Sequence, residues 1–234
     1  MLKGAFTAEA WAETLTIIKG EFALALWETL YVTVIATALA ILIGLPLGVL
    51  LVTGEEKGIA PKPKALMKAV GILINILRSV PFTILIVLVI PLTRAIMGTA
   101  TGTAPAIVPL VVAAFPFIAR LAETSLREVN PDIIEAALSM GAKPGQIIRK
   151  VLIPESVPSL LSNATTAITT ILGYTAMAGM LGGGGLGKIA INYGYYRYKY
   201  LVMLAAVILL VVLVQVFQSV GTKLTIKCDK RLRH

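Results

Sequence analysis

Five stretches of this 234-residue chain are nearly unbroken runs of apolar residues, and the polar residues collect between them. The runs cover about 25–52, 69–91, 104–121, 160–181 and 201–220. A helix needs ~20 predominantly apolar residues to cross a ~30 Å hydrocarbon core, so the pattern predicts five membrane-spanning helices. The first run is interrupted by Gly44, Pro46 and Gly48. Ahead of it, AEAWAETLTIIKGEF (8–22) mixes apolar and charged positions as an amphipathic helix lying in the bilayer interface does. The chain therefore divides into an N-terminal interfacial or extracytoplasmic segment (1–22), a transmembrane domain (23–222) with a long polar loop at 122–158, and a basic tail (223–234). No internal repeat is evident.

Composition places the fold class as all-α and polytopic. Hydrophobic residues make up 57% of the chain and charged residues 14%, against about 25% charged in soluble domains; the mean hydropathy is +0.88. The net charge of +9 reads as an orientation signal, because Lys and Arg concentrate in cytoplasmic loops. No basic stretch is interleaved with aromatics as a nucleic-acid surface would be. Lys57, Lys62, Lys64, Lys68, Arg120, Arg127, Lys143, Arg149, Lys150, Lys223, Lys227, Lys230, Arg231 and Arg233 fall on one side. Only Lys3, Lys19, Arg94, Lys188, Arg197 and Lys199 fall on the other. The bias predicts an outside N-terminus and a cytoplasmic C-terminus, and an odd number of spans agrees with termini on opposite sides. A single cysteine, Cys228, excludes an internal disulfide or a CxxC motif, and the only histidine is His234. The first twenty residues lack the basic start and apolar core of a cleaved signal peptide.

Candidate chemistry is sparse. GGGGLGKI (182–189) fits the spacing of a phosphate-binding loop, but a membrane helix precedes it and Ile189 stands where a Ser or Thr would hold magnesium. Gly182, Gly183, Gly184, Gly185 and Gly187 read instead as a flexible helix exit, or as the hinge of an external gate. In NILRSVPF (75–82), Asn75 and Ser79 share a helix face beside Arg78. Polar groups at that depth face a bundle interior or a water-filled path, although an arginine can also snorkel to the headgroups. The fourth run is rich in Thr, Ala and Gly, a composition that lets membrane helices approach closely. Its Asn163, Tyr174, Met177 and Met180 are either packing or the lining of a translocation path. There is no HExxH, no GxSxG and no carboxylate pair within an apolar run, and the buried acids on which proton-coupled carriers rely are missing. Uphill transport by this chain needs energy from elsewhere.

EAALSMGAKPGQIIRK (135–150) stands out as a charged helix–break–helix unit on the cytoplasmic side, with a helix capped by Asn130 or Asp132. Glu135, Ala136 and Ala137, then Gly141, then Val151, Leu152, Ile153 and Pro154 resemble the E-A-A, three residues, G, nine residues, I-x-L-P signature of ABC-importer permeases. NILRSVPFTILIVLVIPLTR, AAFPFIAR, MGAKPGQIIRKVLIPE and GGGGLG are similar to the methionine-uptake type of that family across nearly the whole chain. LRSVPF also resembles the R-G-T-P stretch of polar amino-acid permeases. The resemblance implies a type I importer fold in the bacterial inner membrane, a homodimer among membrane lipid, a separate ABC ATPase dimer that uses ATP and Mg, and an extracytoplasmic methionine-binding protein or lipoprotein. The chain itself is then no enzyme and binds no cofactor. Glu135, Ala136, Ala137, Met140, Gly141, Ala142, Lys143, Pro144, Ile153 and Pro154 become the coupling residues, with Ala136 and Ala137 as a thin helix face able to enter a groove of the ATPase. Permeases for another amino acid, and a stand-alone channel or secondary carrier, are the alternatives.

Overall fold

The computed structural model describes residues 7–229, and every regular element among them is helical. Lys3 and the end of the basic tail, with Lys230, Arg231, Arg233 and His234, lie outside the described residues. Helix α1 (Ala8–Ile17) opens on Thr7, whose hydroxyl accepts the Ala10 N–H. It passes through a wider π-type turn, Ile18–Phe22, into α2 (Ala23–Thr53). The whole is one helical run of 46 residues. The segment 8–22, expected to lie in the interface, is thus continuous in helix with α2, a run whose path is about 70 Å at 1.5 Å per residue. Gly20 is the one weak helix former there, and a single glycine costs only about 1 kcal/mol. Phe22 and Ala25 bury themselves with Leu186 and Val202, which outweighs that cost.

Nor is α2 interrupted at Gly44, Pro46 and Gly48; Pro46 lies inside a continuous helix. The second apolar run behaves in the opposite way. Helix α3 (Lys64–Ser79) stops, Val80 is extended at φ −80°, ψ 124°, and α4 (Phe82–Leu88) starts after Pro81. A residue before proline is pushed out of the helical region by the ring, so the expected single helix over 69–91 is broken. Helix α5 (Ile90–Met97) follows and ends at Gly98.

Helix α6 (Ile107–Arg127) is continuous through Pro116, and α7 (Pro131–Ser139) and α8 (Pro144–Ile147) form the polar loop. A π-type turn, Ile148–Leu152, carries α8 into α9 (Ile153–Met180). Then come α10 (Gly185–Ile189), a second wide turn at Ala190–Tyr196, and α11 (Tyr200–Cys228). Among the described residues, three runs are long and apolar enough to cross a membrane alone: Ala8–Thr53, Ile107–Arg127 and Tyr200–Cys228. Two bent pairs, Lys64–Ser79 with Phe82–Leu88 and Pro144–Met180 with Gly185–Tyr196, make five if each counts as one span.

The chain divides into two compact units, and α2, α6, α9 and α11 contribute residues to each. The first comprises the chain up to Thr37, Pro81–Val111 and Ile168–Phe217. Its core gathers Phe22, Ala25, Leu186, Ile189, Ala190, Val202 and Ala206. Along its part of α2, buried Thr29, Thr33 and Thr37 donate their hydroxyls to the carbonyls one turn back, at 2.9, 2.7 and 2.7 Å. That satisfies polar groups for which a hydrocarbon environment offers no water. The second unit comprises Ala38–Val80, Val112–Ala167 and the chain from Gln218. It holds two clusters, Leu51, Ile74 and Ala119, and Leu126, Val129 and Leu152. Outward faces remain apolar, with Leu42 70% exposed, and α11 presents Val207, Ile208, Val211 and Val212. Apolar faces of this extent are stable only against lipid or another subunit.

Candidate functional site

The polar loop is shaped by three local devices. Asn130 caps α7, its side chain accepting the Asp132 N–H at 2.9 Å, with Pro131 in the first helical position where its missing N–H costs nothing. The far end is a Schellman turn: Ala142 N–H donates to Ala137 O at 3.1 Å and Gly141 N–H to Leu138 O at 2.9 Å, with Gly141 left-handed at φ +78°. Lys143 N–H then donates to Gln146 Oε1 at 2.8 Å, starting α8 behind Pro144. The helix–break–helix unit read from the sequence thus spans Pro131–Ile147, its break held by hydrogen bonds rather than by slack.

The loop is anchored by Ala137, Ile147 and Leu152, all buried, and by Ile134 packed against Leu126, Val129 and Leu152. Ala137 is 5% exposed, so the thin face assigned to both alanines belongs to Ala136 alone; Ala137 faces the chain's own core. What the loop offers outward is apolar: Met140 is 81% exposed, Leu138 46% and Ile133 42%. Glu135, Lys143 and Pro144 are exposed around them, Ala142 is half-buried, Pro154 is exposed and Ile153 is packed inward. A polar loop with bare apolar side chains at both ends of α7 is shaped to be covered by something.

The translocation candidates separate. Asn75, Arg78, Ser79 and Asn163 lie in the second unit; Tyr174, Met177 and Met180 lie in the first. Asn163 is occupied in holding α9 to α6, donating to Ser125 Oγ at 2.7 Å and Leu121 O at 3.2 Å. Tyr174 stacks on Phe82 with ring centres 4.6 Å apart, and Met177 and Met180 are exposed. Ser79 donates to Asn75 O at 2.8 Å, and Asn75 Oδ1 accepts Arg120 Nη2 at 2.9 Å. Arg120 Nη1 pairs with Glu123 Oε2 at 2.6 Å, Arg127 Nη2 with Glu123 Oε1 at 2.9 Å, and Arg127 also pairs with Glu55.

The glycine turn is packed, not loose, contrary to the flexible exit expected there. Gly185, at φ +79°, donates its N–H to Glu28 Oε2 at 2.7 Å, and Leu186 N–H donates to Thr29 Oγ1 at 2.9 Å. Glu28 Oε1 accepts the Thr103 hydroxyl at 2.8 Å. A Cβ on Gly184 would meet Thr103 and Glu28, and one on Gly187 would meet the Ala176 backbone; Gly182 stands against Thr101 and Gly183 against Ala178 O. The chain's own Glu28 carboxylate thus takes the amide that a phosphate would need. Among the described residues no group of three or more His, Cys, Asp or Glu is placed to hold a metal ion.

A model of the binding-protein-dependent transport system inner membrane component matches residues 44–224. The chain belongs to that family. Over 88% of its length it is 49% identical to the probable D-methionine transport system permease protein MetI of Vibrio cholerae, covering 92% of that protein. It is 43% identical, over 75% of its length and 79% of the relative, to the methionine import system permease protein MetP of Bacillus subtilis. A solved inward-facing conformation of the MetNI methionine ABC transporter matches with a TM-score of 0.87 at 44% identity, covering 89% of this chain and 96% of that one. The all-helical ABC-importer permease fold implied by the signature is the fold observed.

Within that family frame, two polar groupings had escaped the sequence reading. The Arg120, Glu123 and Arg127 spacing, i,i+3 and i,i+4 on one helix face, was a signal for the first, but the arginines had entered only as orientation charges. Glu28 lies half-buried inside the first apolar run, an acid that the sequence reading passed over. Its partners Thr103 and Gly185 are 75 and 157 residues distant, beyond the reach of local pattern.

Proposed function

We propose that this chain is the membrane subunit of an ATP-driven importer that carries methionine into the cytoplasm as a homodimer, worked by a separate ABC ATPase through the Asn130–Lys150 loop. An extracytoplasmic methionine-binding protein or lipoprotein delivers the amino acid. ATP and Mg belong to the ATPase, and this chain carries no cofactor or catalytic centre of its own. Its N-terminus lies outside and its C-terminus in the cytoplasm, with the permease domain over 23–222 and the coupling loop within 122–158. The observation that carries the reading is the exposed apolar side chains Ile133, Leu138 and Met140 on a Schellman-ended helix, in a chain so similar to a methionine permease. Closure of the ATPase dimer on nucleotide would draw two such loops together and rock the subunits between inward- and outward-facing states, a rigid-body switch. Asn75, Arg78, Ser79, Asn163, Tyr174, Met177 and Met180 remain the proposed lining of the path, and the Gly182–Gly187 turn a packed element of the outer gate.

The test is reconstitution. The chain with its cognate ATPase and binding protein should take up labelled methionine in proteoliposomes only when ATP is supplied, with glutamine and histidine failing to compete. Met140→Asp, which changes only an exposed side chain, should lower ATPase co-purification and uptake by about tenfold or more, as loss of a central apolar contact does. Ion-driven uptake by the chain alone, or full uptake by Met140→Asp, would overturn the reading.

A further inference from the structure

A groove of about 350 Å³ runs beside α6 and is lined by Arg78, Phe117, Arg120, Glu123, Thr124 and Arg127. Its charges do not cancel. Arg120 and Arg127 are held by Glu123 and Glu55 in a continuous chain of ion pairs, two cations against two anions. Glu123 is only 13% exposed and has one oxygen on each arginine, so it has no carboxylate left to offer. Asn75 accepts a further N–H from Arg120 and so keeps that guanidinium turned to its own network. Arg78 is exposed and, among the described residues, makes no hydrogen bond or ion pair. It is the odd cation of the groove.

Arg78 is ten residues, about 15 Å, along α3 from Lys68, beyond an otherwise apolar stretch. Side chains on a helix lean toward its N-terminus, and Arg78 lines the groove with Arg120 and Arg127 of α6. A charge within an apolar run is tolerated where it faces a partner or a water-filled cavity. A guanidinium with its fork free, in a wall otherwise neutralised, fits a planar anion held bidentately.

We infer that this groove is a carboxylate subsite on the transport path, in which Arg78 takes the α-carboxylate of a zwitterionic amino acid. The amino acid's apolar side chain lies along half-buried Phe117, and its ammonium stays in the aqueous opening. The ion-pair chain behind Arg78 keeps the site at a single net positive charge. The site therefore selects for the carboxylate without trapping a multiply charged anion. This deepens the importer reading above and rests on it.

The test places a reporter at the groove wall. In a Cys228→Ser background, Thr124→Cys is introduced into the full chain purified with its ATPase, and the rate of alkylation by a neutral maleimide is measured. Methionine at about 10 mM, ten times a Kd of about 1 mM, should slow alkylation about tenfold. Methioninol, which lacks the carboxylate, should leave the rate unchanged. Adding Arg78→Gln should abolish the protection, and Arg78→Lys, which keeps the charge but not the fork, should retain part of it. Equal protection by methioninol, or protection surviving Arg78→Gln, overturns the inference. So does protection by phosphatidylglycerol with none by methionine, which would make the groove a lipid site. The methioninol comparison holds even if Arg78→Gln fails to fold. Uptake by the unmutated chain in proteoliposomes separates the two levels: ATP-driven uptake there, with no protection of the Thr124→Cys reporter, removes only this inference, whereas no ATP-driven uptake removes the importer reading itself.

Discussion

Gly141 is the residue on which the loop's shape turns. It sits at φ +78° with open space around the position of a Cβ, so substitution meets strain and no clash. A left-handed L-residue costs roughly 1–2 kcal/mol, and asparagine tolerates the conformation best among the alternatives. Uptake and ATPase co-purification should therefore fall in the order Gly, Asn, Ala, Val, with Gly141→Asn close to the parent. A Val variant equal to the parent would remove the Schellman turn from the mechanism. Gly187 is the opposite case, since its Cβ would meet the Ala176 backbone, which cannot swing aside. Gly187→Ala should cost about 1–3 kcal/mol through overpacking, seen as a lower midpoint of thermal aggregation in detergent; an unchanged midpoint would restore the loose hinge that the glycine run invites. The two glycines look alike in sequence. The first was legible because a proline and a break signal lie within three residues of it. The second was not, because the backbone it touches is eleven residues back and on a different helix.

At the scale of helices, the apolar runs announced where the chain is greasy but not where a helix ends. Pro46 and Pro81 both sit in apolar sequence, yet α2 continues and α3 stops. What separates them is tertiary. Gly44 and Gly48, one turn apart, rest against Phe115 O at 2.7 Å and Ala122 Cβ at 2.6 Å from where a Cβ would be. This small-xxx-small seam clamps α2 along α6 through the proline. Before Pro81 the polar Arg78 and Ser79 stand instead, and Ser79 takes the Asn75 carbonyl, so the broken end finds a partner. Gly48→Leu should push the two helices apart and cost about 1–3 kcal/mol, measured as a loss of folded protein in a denaturant titration. Gly20→Ala, where nothing lies within 4 Å, should be neutral or mildly stabilising by helix propensity. Equal behaviour of the two variants would refute the seam. Within the Asn130–Lys150 loop the boundaries, cap and turn were readable because their chemistry is local. The inward turn of Ala137 was not, since which face of a short helix is covered depends on Leu126 and Leu152 across the fold.

For the whole molecule, sidedness is the property on which the proposed coupling depends, because an ATPase could grip the Asn130–Lys150 loop only from the cytoplasm. The orientation rests on the excess of Lys and Arg in one set of loops, a bias read during insertion rather than a contact visible in the fold. The lone cysteine gives a direct measure of it. Cys228 is exposed at the end of α11, on the face that the charge bias assigns to the cytoplasm. A membrane-impermeant maleimide should label it in inverted vesicles and leave it unlabelled in intact spheroplasts, with Cys228→Ser as the blank. An engineered cysteine at exposed Tyr195, on the opposite side, should show the reverse pattern. Labelling of Cys228 from outside would place the loop with its bare Ile133, Leu138 and Met140 in the extracytoplasmic space. No ATP-driven partner could reach it there, and the coupling assignment would fall together with the topology.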